Sequence, residues 1–339
     1  MMSTKIWSAA RAGLLVASAS AMVGCATNVK LKVLEPAQID RAAQTKQIAV
    51  SPFEHDSVGL AGKIEATLAK QKLDGNYYFT TVSRNEVDQL LKEQRFQYSG
   101  VVNDAKLVEA GELLGAQAFV TGEVTSASAR DDRHYEERMQ CADKKCNEFR
   151  MYKVLCDVRT ISMGANIKMI DVAKGDIIHA DTYMKSRRWK HCRDDSRSLP
   201  SKSAGLELLA SEVATNFVYK LTPHYTHMTV SLLEDPDIDY TPEQKKTLSL
   251  AIEYIEAGRL DKAERLLGTL LDSTDNRSYV AAYDLGVVKE AQGDLVEAKR
   301  LYHLADDLQL EPVDEINEAV MRIDHVMTNR EKALSQISQ

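Results

Sequence analysis

Apolar and polar positions along this chain follow two different periods, and the change of period divides it. Between Gln47 and Leu221, short β-branched runs alternate with stretches of helical spacing. Ile48-Ala49-Val50-Ser51-Pro52-Phe53 reads as a buried strand stopped by a proline. Leu60, Ile64 and Leu68 recur at helical spacing, and Tyr77 to Val82 is aromatic and β-branched, hence a second strand. Ser83-Arg84-Asn85-Glu86 is a capping box, and Val87, Leu90 and Leu91 give the helix after it an apolar face. A further helix covers Ala105 to Leu114 and ends at Gly115, and the strand from Ala118 runs on to Ala129. Leu155 to Ile170 and Ile177 to Trp189 form a long antiparallel pair around the turn-rich Asp171–Asp176. A helix from Ala204 to Leu221 stops before Pro223, Met228 to Leu233 adds a strand, and Glu234 to Asp239 is an acidic linker. The pattern predicts an α/β domain over residues 46–235. Residues 27–45 show little periodicity and are expected to be a tether.

From Thr241 onward only the helical period remains. Thr241-Pro242-Glu243-Gln244 combines a capping box with Pro at the first helical position. The run Glu256-Ala257-Gly258-Arg259-Leu260 to Leu267 is echoed by Ala291-Gln292-Gly293-Asp294-Leu295 to Tyr302, at an offset of 35 residues. This resembles the tetratricopeptide repeat, whose period is about 34. Leu285-Gly286, the small residues Ala263, Ala298 and Ala305, and Pro312 carry the likeness; Ala251 stands where Gly is usual in the first copy. An all-α helical repeat domain is expected over 236–339, with Asp314 to Ser335 as its closing helix. Such repeats present a concave face to a peptide or helix. The repeat pattern assigns Leu248 and Ile252 of the first copy, and Tyr283 and Val287 of the second, to a partner-binding groove. The competing reading is that these residues pack on the first domain, because two repeats fall below the three usually needed for independent stability.

The N-terminus has Lys5 and Arg11 before an uncharged, small and apolar stretch from Ala12 to Val23. That is the layout of a signal peptide, and it is too short to span a bilayer. Met22-Val23-Gly24-Cys25 resembles the bacterial lipobox, which implies cleavage after residue 24 and acylation of Cys25. Residues 25–45 would then be a lipidated tether. In lipoproteins an Asp after the cysteine favours inner-membrane retention. Ala26 is not Asp, so the expected location is the periplasmic face of the outer membrane, lipid-anchored through Cys25.

Composition is that of an ordinary globular protein, 44% hydrophobic and 27% charged. Losing Lys5 and Arg11 with the leader moves the net charge from −7 to −9, which argues against nucleic acid as a partner. Four cysteines remain: Cys141, Cys146, Cys156 and Cys192. An even number in an oxidising compartment suggests two disulfides, with three connectivities available. A zinc site also uses four cysteines, but its ligands normally come as two tight pairs, and only Cys141 and Cys146 are close. Pairing Asp171 with Ile178 puts Cys156 opposite Arg193, so a one-residue bulge would bring it to Cys192 and leave Cys141 for Cys146.

No glycine-rich phosphate loop and no nucleophile elbow is found, and no catalytic residue, metal or cofactor is expected. His224 and His227 read as a surface turn, His191 as a neighbour of a disulfide, and the acidic linker as solvated, with calcium binding as its alternative.

The first domain resembles the CsgG-type family of curli secretion-channel lipoproteins, over roughly Lys46 to Leu221. The carriers are Ile48 to Phe53, Val82 to Leu91, Leu114 to Val124 and Ile167 to Ile178. The resemblance implies a mixed sheet with packed helices, and in the channels two hairpins of this domain form a membrane barrel between subunits. Here those stretches contain Arg130-Asp131-Asp132-Arg133, Glu136-Glu137-Arg138 and Asp143-Lys144-Lys145, then Lys185, Arg187, Arg188, Lys190 and Arg193. A charge at the bilayer midplane costs roughly 2–4 kcal/mol. The expectation is therefore a non-catalytic assembly or adaptor lipoprotein that binds an envelope protein and has the option of homo-oligomerising. The alternatives are an export-channel component or an activator of a cell-wall enzyme.

Overall fold

A computed structural model describes residues 27–83, 86, 87, 89 and 104–338. The leader, Cys25 and most of the helix expected after Ser83 lie outside the described residues. Two compact units are present: residues 32–228 with 321–339, and residues up to 31 with 229–320.

The first unit is built on a five-stranded mixed sheet ordered β5-β2-β6-β7-β8. Its strands are β2 (Gln47–Val50), β5 (Thr80–Thr81), β6 (Ala118–Cys141), β7 (Phe149–Asp171) and β8 (Ile177–Cys192). β2 runs parallel to β5 and β6, and the rest of the sheet is antiparallel. Both faces of β2 and of the start of β6 are covered, which is why their sequences are continuously apolar rather than alternating. Ile48, Val50 and Val120 share one core with Ile64 and Leu68 of α2 (Leu60–Lys70) and with Val213 and Phe217 of the 202–221 helix. Ala49 and Phe119 share the other core with Leu107 and Ala110 of α3 (Asp104–Leu114). The 202–221 helix, α4 (Lys202–Leu221), is capped by Ser201, whose hydroxyl accepts from the Ala204 N–H. A mixed sheet with packed helices is the fold that the sequence predicts.

Residues 27–45 are not a tether. They hold β1 (Asn28–Glu35) and the short α1 (Asp40–Gln44). Val29, Leu31 and Val33 are buried, alternating with exposed Asn28, Lys30 and Lys32, so the period of two is present in the sequence. β1 pairs with β9 (His224–Ser231), and a minimal hairpin joins β3 (Lys72–Leu73) to β4 (Asn76–Tyr77).

The helical part comprises α5 (Pro242–Glu256), α6 (Leu260–Ser273), α7 (Tyr279–Gln292), α8 (Leu295–Leu308) and α9 (Asp314–Ile337). From α5 to α8, each helix packs on the next in chain order, the nearest-neighbour pattern of stacked repeats. The last part of α9 belongs to the α/β unit. Ala333 is buried in that core, and the Gln336 side chain accepts from the Ala37 N–H at 2.8 Å and donates to the Ala37 carbonyl at 3.2 Å. Among the described residues, no helix is long and apolar enough to cross a membrane.

Candidate partner groove and the disulfide-bonded hairpin

The repeat unit is fastened by the local signals visible in its sequence. Thr241 and Gln244 form both arms of the capping box, and Gly293 ends α7 at φ 84°, a left-handed conformation that glycine adopts without strain. Gly286 lets α7 approach α8: a Cβ there would lie 2.7 Å from Cε1 of the Tyr302 ring. Ala263, Ala298 and Ala305 are fully buried.

The four residues assigned to the groove separate into two pairs. Leu248 and Ile252, one turn apart on α5, line a groove of about 390 Å³ together with Thr27, Lys245 and the carboxylates of Glu234, Glu253 and Glu256. Only their edges reach it, since both are at most 9% exposed. Tyr283 and Val287 are in the core and present no surface, which corrects the sequence assignment. For Tyr283 the reason is the end of the strand expected at Met228–Leu233, continued by the segment read as a solvated acidic linker. Ser231's carbonyl accepts from the Tyr283 hydroxyl at 2.8 Å, and the Leu233 N–H donates to Asp284 Oδ1 at 3.0 Å. Asp237 accepts from the Ser278 hydroxyl and from the Tyr279 N–H, each at 2.7 Å, placing a carboxylate at the positive N-terminus of α7. Tyr240 is buried and its hydroxyl contacts that of Ser278. Residues 231–240 therefore run along α7 and occupy the face where a ligand was expected.

Asp284 is fully buried on this face. Its second oxygen, Oδ2, has no hydrogen-bond partner among the described residues. Burial pushes its carboxyl well above the usual carboxylate range; nearby Glu234 adds to this, and the Leu233 N–H opposes it. Sequence reasoning missed Asp284, because nothing in Tyr283-Asp284-Leu285 distinguishes it from a surface acid.

In the other unit, β6, β7 and β8 carry Cys141, Cys156 and Cys192, and the turn between β6 and β7 carries Cys146. Cys156 is bonded to Cys192, and Cys141 to Cys146. The β7–β8 hairpin closes at Ile170↔Ile177 rather than Asp171↔Ile178. A one-residue irregularity between Met169 and Ile170 then sets Cys156 opposite Cys192.

Beyond the sheet's cover, the β6–β7 hairpin gathers its large exposed apolar side chains on one face. Register places Tyr135, Met139, Phe149 and Met151 on one side, each at least 60% exposed, interrupted by the Glu137–Lys153 pair at 3.5 Å. His134, Glu136, Arg138, Arg150 and Tyr152 alternate onto the other side. There Lys190, hydrogen-bonded to both Glu136 oxygens, and then His134 hold the Glu136 carboxyl down at about 2. The consecutive charges of Arg130 to Arg133 are resolved by cross-strand pairs, Arg159–Asp131 and Arg133–Asp157, both at 2.6 Å.

His224 is held by the Thr222 carbonyl at 3.0 Å and by the Tyr219 ring, a structural role. His191 sits beside a cysteine whose sulfur is already bonded. Of three clusters of metal-ligand side chains among the described residues, two, His134 with Glu136 and Cys156, and Cys192 with Asp194 and Asp195, contain a disulfide sulfur, which is not a thiolate ligand; Glu54, His55 and Glu123 form the third.

The family model of the curli production assembly/transport component CsgG matches residues 33–130. No curated protein matches the chain. Among solved structures, a point variant of the PelC dodecamer from Paraburkholderia phytofirmans is 12% identical; 57% of this chain and 97% of that one are covered, at a TM-score of 0.29. Lipoprotein GNA1162 from Neisseria meningitidis is 16% identical, covering 51% and 98%, at a TM-score of 0.25. The hypothetical protein CT253 from Chlamydia trachomatis is 12% identical, covering 51% and 94%, at 0.23. At such TM-scores these likenesses carry no argument. The family match runs from the end of β1 to the middle of β6; it takes in three of the four stretches that carried the resemblance in the sequence, Ile48 to Phe53, Val82 to Leu91 and Leu114 to Val124, and stops short of Ile167 to Ile178.

Proposed function

We propose that this protein is a non-catalytic assembly or adaptor lipoprotein of the cell envelope. Acylated Cys25 anchors it at the periplasmic face of the outer membrane, and its helical repeats hold an envelope protein. The observation that carries the reading is a CsgG-type domain joined in one chain to stacked helices that bear an open groove. Because residues 231–240 already lie along α7, the binding surface is reduced from four named residues to the α5 side: the edges of Leu248 and Ile252 with Ser249 and Glu253. An apolar side chain flanked by a basic one suits that lining. The test is photo-crosslinking from Ser249 in the intact, acylated protein in its native membranes. A discrete adduct lost in a Glu253→Arg variant supports the reading. Equal adducts in both proteins, or none, would refute it. A Cys25→Ser variant should lose acyl labelling and membrane association, and unchanged labelling would remove the anchor.

A second reading, an export-channel component that assembles from copies of this chain, is favoured by one observation: the apolar face of the hairpin at Tyr135, Met139, Phe149 and Met151. Glu137 and Lys153 stand on that same face, which weakens it. Reproducible conductance steps from defined rings in planar bilayers would establish the channel, whereas their absence leaves the adaptor.

A further inference from the structure

The chain's first described residue is held at the groove. The Thr27 N–H donates to Glu234 Oε1 at 2.6 Å, and its hydroxyl donates to Glu256 Oε1 at 3.1 Å. The Thr27 carbonyl accepts from the Leu232 N–H at 2.9 Å, and the Asn28 side chain accepts from the Ser231 hydroxyl at 3.2 Å. Three consecutive polar groups of Thr27 are thus committed to the repeat unit, and β1 begins at the next residue. Thr27 itself lines the groove, with Glu234 and Glu256.

Only Ala26 stands between Thr27 and Cys25. Two extended residues span at most about 7 Å. A tether of the expected length, some twenty residues of flexible chain, would let the folded unit drift about 25 Å from its anchor. With strand β1 formed and Thr27 clamped, that freedom is gone.

We infer that the clamp on Thr27 seats the groove end of the repeat unit directly against the headgroup layer of the bilayer. The lipid surface is thus the interaction partner of the face formed by Thr27, Glu234 and Glu256. This rests on the reading of Cys25 as the acylated residue. It deepens the proposed function: whatever enters the groove beside Leu248 and Ile252 must approach along the membrane surface, so a juxtamembrane segment of an envelope protein fits and a freely diffusing periplasmic client does not. The carboxylates Glu234, Glu253 and Glu256 outnumber Lys245 around the groove. Contact is therefore expected to be closer on zwitterionic than on anionic lipid, whose surface potential repels them.

The test uses the full acylated chain in phosphatidylcholine vesicles containing a headgroup-quencher lipid. A fluorophore is attached at Ser249→Cys, on the groove, and in a separate protein at Val296→Cys, an exposed position on α8 that does not line it. The expected result is quenching several-fold stronger at position 249. Eight Gly/Ser residues inserted between Ala26 and Thr27 would add about 16 Å of flexible reach and should remove the difference. Thr27→Pro, which deletes both the N–H and the hydroxyl, should reduce it. Equal quenching at the two positions with acyl labelling intact would overturn the inference while leaving the anchor in place. Loss of acyl labelling in Cys25→Ser separately checks the anchor; if labelling survives that change, both readings fall.

Discussion

The two disulfides should differ in what they contribute to stability, and the difference can be worked out from where they close the chain. Cys156–Cys192 spans a sequence separation of 36, and Cys141–Cys146 a separation of 5. Loop-closure entropy then gives about 3.8 kcal/mol for the first and about 2.1 kcal/mol for the second at 25 °C. The first bond also lies in a buried cluster with Val154, so removing it loses packing as well. The second closes an exposed tip. Paired alanine substitutions, C156A with C192A and C141A with C146A, avoid a freed thiol that could mispair. The chain has two tryptophans, Trp7 and Trp189, and in the proposed form cleaved before Cys25 only Trp189 remains. It packs against the α/β core three residues before Cys192 on β8, so its fluorescence reports this unit during urea unfolding. With slopes of about 2 kcal/mol/M, the expected losses correspond to midpoints lowered by about 2 M and at most about 1 M. A tip variant that lowers the midpoint as far as the strand-to-strand variant would refute the argument. So would a strand-to-strand variant that leaves the midpoint unmoved.

Gly286→Ala should destabilise the repeat unit by about 1–2 kcal/mol. The new Cβ meets the Tyr302 ring at 2.7 Å, and the overpacking exceeds the roughly 1 kcal/mol gained in helix propensity; thermal melts followed by circular dichroism check this. Gly122→Ala should cost about 3 kcal/mol in the Trp189-monitored midpoint, because its Cβ would lie 2.3 Å from the backbone oxygen of Asn166, which a β-ladder cannot move cheaply. For Asp284 the folded carboxyl titrates above its unfolded value, so the native state binds the extra proton. Stability is then lost as pH rises from about 4 through the raised folded value, and Asp284→Asn should flatten that dependence; urea midpoints of the repeat unit at a series of pH values would show it.

The α/β core was legible because its apolar runs are continuous and its helices repeat apolar residues at helical spacing. Ile48 to Phe53, Leu60 to Leu68 and Ala118 to Val124 all sit where their periods placed them. The repeats were legible from the offset of 35 and from Gly286 and Gly293. What escaped was of two kinds. β1 carries an alternation as regular as that of any strand in the chain, but it follows a leader, and the position suggested a tether. The fate of Tyr283 depended on residues 231–240, of which Glu234 to Asp239 read as solvated from their acidic composition. Asp237 at the start of α7 and the Leu233 N–H on Asp284 exist only once that segment lies along the helix. Register near Cys156 was legible to within one residue: the closing pair Ile170↔Ile177 shifts the ladder two positions from Asp171↔Ile178, and the irregularity at Met169-Ile170, which leaves no compositional trace, returns one of them.

β8 ends at Cys192, opposite Cys156, while β6 and β7 continue to their tip. From there the three-stranded ribbon thins to two strands, whose amide edge has no further neighbour in the five-stranded sheet. Two-stranded ribbons are marginal in water. Here one covalent bond ties β7 to β8 at the root and another closes the loop at the tip, so the tip is held and β7 is fixed at the root, while β6 is kept on β7 by the ladder and its cross-strand pairs alone. Local opening of that ladder would cost less than global unfolding. Under oxidising conditions the hairpin is a semi-rigid antenna; once both bonds are reduced, fraying from the tip becomes its easiest motion.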